Sequence, residues 1–398
     1  MRYERPVGNL FRRCRLIALV GAFGLALTAG PLGDAGSYSF AITDLGTLGG
    51  NESHVVAINA SEQVVGDSDT AGSGLHPFSW TSSGGMMDVG TLGGTTSHAV
   101  AINDRGQVVG YSSDASESNY HAFSWTQAGD MTDLGTLPGS SRSFATAVDD
   151  AGDVVGFTAV SLHHAFLWTQ KTGMVDLGTL GGDSTAFAVN NADQVVGVSD
   201  TGTGDGHAFV WTAKAGLIDL GTLGGASSVA LAENARGDVV GLSYLTGNSA
   251  QHAFLWTKAH GMQDLGTLGG SYSTGLAIND HDQIVGASTT STGTVHAYSW
   301  TASTGMLDLG TLGSFSIAQA LNNAGEVVGY SDNTDQSAHH AFVWTSETGM
   351  VDLGTLGGKS SMAVAVNATG QVVGSAANAD DQPHAVLWDT APIAAPPS

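Results

Sequence analysis

Along residues 40–388 short apolar phrases alternate with polar, glycine-rich breaks, and the same phrases return in the same order. One resembles A-x-A-I-N and ends at Asn59, Asn103, Asp149, Asn190, Asn234, Asn279, Asn322 and Asn367. A second, V-V-G, ends at Gly66, Gly110, Gly156, Gly197, Gly241, Gly286, Gly329 and Gly374. A third, H-A-F-x-W, opens at His76, His121, His164, His207, His252, His296, His340 and His384. It closes at Trp80, Trp125, Trp168, Trp211, Trp256, Trp300, Trp344 and Trp388, which are all the tryptophans of the chain. In this phrase His, aromatic and Trp stand at i, i+2 and i+4, one face of a strand. The first phrase has a small face, such as Ala186 and Ala188, and a branched or bulky one, such as Leu276 and Ile278. Between the first two phrases, stretches such as Asn103-Asp104-Arg105-Gly106-Gln107 carry the chemistry of a tight hairpin.

A fourth strand is expected in G-M-x-D-L, seen at Gly173–Leu177, and it runs into D-L-G-T-L-G-G. That last phrase begins at Asp44, Asp88, Asp133, Asp176, Asp219, Asp264, Asp308 and Asp352, at spacings of 43 to 45 residues. Four antiparallel strands in about 44 residues predict an all-β chain, an eight-bladed β-propeller. We label the strands A to D within each repeat. The first strand of the series, Phe40–Leu45, is a lone D strand, and the last repeat stops at its C strand, His384–Trp388. Pairing these two closes the ring and removes an exposed edge.

Composition sharpens this reading. The 57 glycines and the 12% of charged residues suit a turn-rich β protein. Acidic residues number 36 against 12 Lys and Arg, a formal charge of −24. Five of those arginines lie in the first 15 residues, so the remaining body holds 35 acidic and 7 basic residues, −28. Such a body repels phosphate backbones and anionic membrane surfaces, which excludes nucleic-acid and membrane partners. The Arg-rich start precedes the apolar run Leu16–Gly30, the pattern of a signal peptide over residues 1–35. Its loss removes Cys14, the sole cysteine, and with it disulfides and thiolate metal sites. Residues 36–390 then form the propeller and 391–398 a Pro/Ala-rich tail, in a secreted or periplasmic, soluble monomer.

This set of phrases resembles the HAF-repeat family of probable extracellular repeat proteins, over roughly residues 39 to 390. His76-Pro77-Phe78, His296-Ala297-Tyr298 and His384-Ala385-Val386 depart from its tripeptide. The resemblance implies export and a repeat architecture and no settled activity.

A histidine and an aspartate in every repeat read as blade cement, because identical copies in all blades do not converge on one site. No catalytic residue, cofactor or metal site is assigned. The acidic stretches Asp67-Ser68-Asp69, Asp149–Asp153 and Asp280-His281-Asp282 read as solvated turns, with weak calcium binding as the alternative. Only the B–C and D–A connections vary in length, and in an antiparallel blade they share one face. That face is expected to bind, through Tyr120, Tyr244, Tyr272 and Phe315, beside Arg142, Lys359, Asp205, Asp335 and Asp381. The resulting expectation is a non-catalytic module for glycan or protein. The alternatives are a polysaccharide hydrolase or lyase with its site in the mouth, and a purely structural surface protein. An enzyme would show two or three blades breaking the pattern with clustered acids, His or Tyr.

Overall fold

The computed structural model describes residues 40–389, except 73, 160–162 and 335–337, all within the compact unit Tyr38–Ser398. The expected signal segment 1–35, the tail 391–398 and Asp335 lie outside the described residues. Every regular element described is a strand, and the strands pair as four-stranded antiparallel units in the order A-B-C-D. In the first unit A is Gly49–Ile58, B Val64–Thr70, C Leu75–Thr81 and D Gly85–Asp88. The last unit has A Gly357–Val366, B Val372–Asn378 and C Pro383–Asp389. Its D strand is Ala41–Gly46 from the other end of the chain, with Ile42 opposite Trp388 as Met174 stands opposite Trp168.

Not every unit is a separate sheet. A single parallel bridge, Leu75 to Thr96, joins units 1 and 2 into eight strands, and Gln251 to Tyr272 does the same for units 5 and 6. At these two places a C strand begins against the next A strand.

The glycine of V-V-G has a steric cause. A Cβ on Gly66 would sit 1.9 Å from the His54 carbonyl oxygen, and on Gly241 1.9 Å from that of Val229. Only glycine lets strand B approach strand A this closely, and strand A carries a bulge just after the contact, between Val55 and Ala57. The two valines before it point to opposite faces. Val64 packs with Phe78, Val55 and, from the last unit, Val373, Ala385 and Leu387. Val65 packs with Val89, Ala99 and Phe123 of units 1 and 2. Each core is thus shared by neighbouring units, and no unit buries its faces alone.

A serine locks these seams. The Ala385 amide of the last unit donates to Ser53 Oγ of the first at 2.8 Å, and Ser53 Oγ donates to the Gly46 carbonyl at 2.6 Å. The same amide-to-serine bond, 2.8–2.9 Å, recurs from Ala122, Ala165, Ala208, Ala253, Ala297 and Ala341 to the following unit. Pro77 has no N–H to give. Ser97, which faces it across the first seam, turns instead toward the Tyr111 carbonyl at 3.5 Å.

On the A–B turns, asparagines link neighbours: Asn59 Nδ2 donates to the Asn103 carbonyl at 3.1 Å and Asn279 Nδ2 to that of Asn322 at 3.0 Å. The residue before this asparagine is Ile, Val or Leu in seven units and Glu233 in unit 5. Glu233 Oε2 accepts from Asn190 Nδ2 at 3.1 Å and Gln194 Nε2 at 2.8 Å, whereas its buried Oε1 has no partner. Burial pushes its carboxyl up to about 8 against the Gln194 bond.

Candidate active site

The repeat histidines are placed by strand C and the aspartates by strand D. Asp88 stands opposite Phe78, which brings it diagonally onto His76. His76, His121, His164, His207, His252, His296, His340 and His384 each hold an aspartate through Nδ1, at 2.7–3.0 Å. The aspartate also accepts the amide two residues on, as Asp88 does from Gly90 at 2.7 Å. One pair thus ties strand C, strand D and the start of the D–A loop. Replacing His164 by Ala should cost about 1–2 kcal/mol, since the pair is half-exposed. Chemical denaturation should show this loss, with any activity scaling to the folded fraction. A variant as stable as the parent but inactive would give these histidines a catalytic role.

A second set of positions is not uniform. The A-strand residue whose carbonyl meets the V-V-G glycine is His54, His98, Phe144, Thr185, Val229, Thr274, Ile317 or Met362. Its partner on strand B is Asp67, Tyr111, Phe157, Val198, Leu242, Ala287, Tyr330 or Ser375. Units 4 to 6 hold small or apolar residues here. The last unit and units 1 and 2 hold Ser375, His54, Asp67, His98 and Tyr111.

These polar residues meet across the seams. His98 Nδ1 lies 2.7 Å from Asp67 Oδ2 of the preceding unit, and Asp67 Oδ1 accepts the Ala99 amide at 2.8 Å. Asp67 is largely buried, so this correction applies: it is a strand residue orienting an imidazole, not a solvated turn acid. With Nδ1 taken, Nε2 is the nitrogen left for proton transfer. The Tyr111 ring lies 4.8 Å from that of His98. It opens an aromatic run in which Tyr111 and Phe144 are 5.1 Å apart and Phe144 and Phe157 stack at 5.1 Å. On the other side His54 Nδ1 is 3.4 Å from Ser375 Oγ, and its Nε2 is 3.8 Å from Glu52.

The four aromatics expected to bind fall in three places. Tyr120 joins the aromatic run, 5.9 Å from Tyr111 and 6.2 Å from Phe144. Arg142, two residues before Phe144, donates to the Ser118 carbonyl at 3.0 Å. Tyr244 and Tyr272 meet around Gln251 between units 5 and 6, where burial pushes the Tyr272 phenol up to about 12. Phe315 packs 6.0 Å from both Tyr330 and His339, and His339 binds Asp332 at 2.7 Å. Lys359 pairs with Asp381 at 2.9 Å, and Asp205 accepts from the Thr203 hydroxyl at 3.2 Å. Sequence reasoning missed His54 and His98. The signal was present, because both lie outside the H-A-F phrase and share one column of the repeat.

No protein-family model matches the sequence, and no curated protein matches it. Among solved structures the chain is similar to dipeptidyl peptidase 4 of Porphyromonas gingivalis, at 9% identity and a TM-score of 0.56. That match covers 87% of this chain and 58% of the other. It is also similar to a puromycin-hydrolyzing peptidase of Mycobacterium tuberculosis, at 12% identity, TM-score 0.51, covering 80% of this chain and 56% of that one. The chain therefore spans little more than half the length of these peptidases. They carry β-propellers, and at such identity the likeness concerns the fold: this is an all-β, propeller-type chain.

The expectation of a non-catalytic interaction module is corrected here. The propellers it is similar to belong to peptidases. The feature set out above as the mark of an enzyme, adjacent units breaking pattern with acid, His and Tyr, is present at Asp67, His98 and Tyr111.

Proposed function

We propose that this chain is an exported, eight-bladed propeller of the HAF-repeat type that cleaves an acidic polysaccharide by elimination at Asp67, His98 and Tyr111. The carrying observation is the Asp67–His98 pair, 2.7 Å across a seam, with the Tyr111 ring beside it. Asp67 holds the Nδ1 proton and stabilises the imidazolium that forms when Nε2 takes up a proton. In a uronate residue that proton is the one on the carbon α to the carboxyl group. Its electron pair becomes the new C=C bond, the glycosidic C–O bond on the neighbouring carbon breaks, and the leaving oxygen receives the Tyr111 hydroxyl proton. Glycoside hydrolysis instead calls for two carboxyl groups flanking the bond, whereas Asp67 is committed to His98. Tyr120, backed by the buried Phe144, offers a sugar ring an apolar surface, and Arg142 nearby is a counter-charge for a uronate.

Uronate polysaccharides should yield ultraviolet-absorbing unsaturated ends, and His98→Ala and Tyr111→Phe should each lower that rate about 10²- to 10⁴-fold per folded molecule, far more than the stability lost with the Asp67–His98 pair accounts for. The body charge of −28 repels such a substrate, so the rate should rise with salt. Full activity in His98→Ala would overturn the assignment. A second reading, peptide or ester hydrolysis, rests on Ser375, His54 and Glu52 at 3.4 and 3.8 Å and on the peptidases of similar fold. Peptide cleavage lost in Ser375→Ala and kept in His98→Ala would favour it.

A further inference from the structure

The A–B turn of unit 3 breaks the asparagine series with Asp149, and the change alters one atom of a defined contact. In the other turns the side-chain oxygen caps the turn, as Asn59 Oδ1 accepts from the Ser61 and Gln63 amides at 3.0 and 2.9 Å. The amide nitrogen then donates to the carbonyl of the next unit, at 2.7–3.3 Å in six units. Asp149 Oδ1 keeps the first duty, accepting from Gly152 and Asp153 at 2.9 and 2.8 Å. Oδ2 therefore takes the place of a donor, aimed by the repeat at the Asn190 carbonyl. A carboxylate oxygen at that place brings no proton to share with a carbonyl. Asp149 is 4% exposed, and its Oδ2 is buried without a partner.

Two further carboxylates converge on it. One oxygen each from Asp149, Asp153 and Asp193 lie within 4.8 Å of one another. Metal–oxygen bonds of about 2.4 Å span about 4.8 Å across a coordination sphere, so all three fit around one Ca²⁺, with shorter Mg²⁺ bonds of about 2.1 Å reaching less far. We propose that Asp149, Asp153 and Asp193 form a calcium site that ties unit 3 to unit 4, with the Asn190 carbonyl completing the protein ligands. The ion stands where an asparagine amide stands in the other seams, and it neutralises three clustered carboxylates. Burial and mutual repulsion raise Asp149 and Asp153 above the ordinary carboxylate range, the strain a cation relieves.

The rival occupant is a proton on Asp149 Oδ2, donated to the same carbonyl. Thermal melting of the chelator-treated protein at pH 7.5, with and without calcium chloride, separates the two. Calcium should raise the melting temperature of the parent by about 3 °C or more. Asp149→Asn, which restores the amide donor, should melt above the calcium-free parent and no longer respond to calcium. Asp193→Asn, at an exposed turn, removes part of the mutual repulsion, so it should leave the calcium-free melt no lower than the parent's and weaken the calcium response at least tenfold. A parent indifferent to calcium, whose stabilisation at lower pH shrinks in Asp149→Asn, would establish the proton and overturn the site. So would an Asp149→Asn variant that still responds as the parent does.

Discussion

A chain lacking Phe40–Gly46 should melt far below the parent, although the deleted strand lies some 340 residues from its partner in sequence. The strand makes five paired positions with Asp389, Trp388, Leu387, Val386 and Ala385, each worth about 0.2–1 kcal/mol. It also buries Leu45 against Val55, Val64 and Phe78, worth about 1.5–3 kcal/mol, and supplies Asp44 to His384. Together these reach about 5 kcal/mol, a large part of the stability of an ordinary domain. Urea unfolding should register the loss as a lower midpoint. Asp44→Asn, which weakens one bond and leaves the strand in place, should cost a small fraction of it. A deletion variant that unfolds at the parent's midpoint would mean that this pairing does not hold the structure together.

Stability should also fall as pH rises from about 5 to 8, and Glu233→Gln should remove most of that slope. The Glu233 carboxyl titrates near 4.5 when exposed to water and near 8 when folded. Between these values the folded chain binds the extra proton, so raising pH disfavours the folded state. The slope is at most about 1.4 kcal/mol per pH unit, which sums to about 5 kcal/mol across the window. Asp149 and Asp153, raised in the same sense, add a smaller trend that the variant keeps. Gln keeps an oxygen for Asn190 and Gln194 and carries no charge, so it should gain most at pH 8 and least at pH 5. Denaturation midpoints across that range test this, and parallel pH profiles for parent and variant would contradict it.

Much of the architecture was legible because a repeated unit writes its own alignment. The glycine of V-V-G, the Trp opposite Met174 and the Asp opposite Phe166 recur at fixed spacing, so strand register could be read from one copy. What was not legible depends on contacts between units. Asp67 looks like a turn residue beside Asp69 until the next unit brings His98 onto it from 31 residues away. Tyr120 looks like a free loop aromatic until Phe144 of the following unit packs on it. Asp149 differs from asparagine by one atom, and its consequence appears only where that atom meets Asn190.

Pro77 leaves the first seam without the amide-to-serine bond present at the other seven, and the Asp67–His98 pair spans that same seam. A bound substrate gripping residues from both sides would act as a staple over the one described joint that lacks the serine bond. Occupancy of the mouth would then be felt as mechanical stiffening at one joint, and small rotations there would widen or narrow the gap between base and substrate. One imino acid would thus shift the fastening of this joint from a serine on the framework to the Asp67–His98 pair of the site itself.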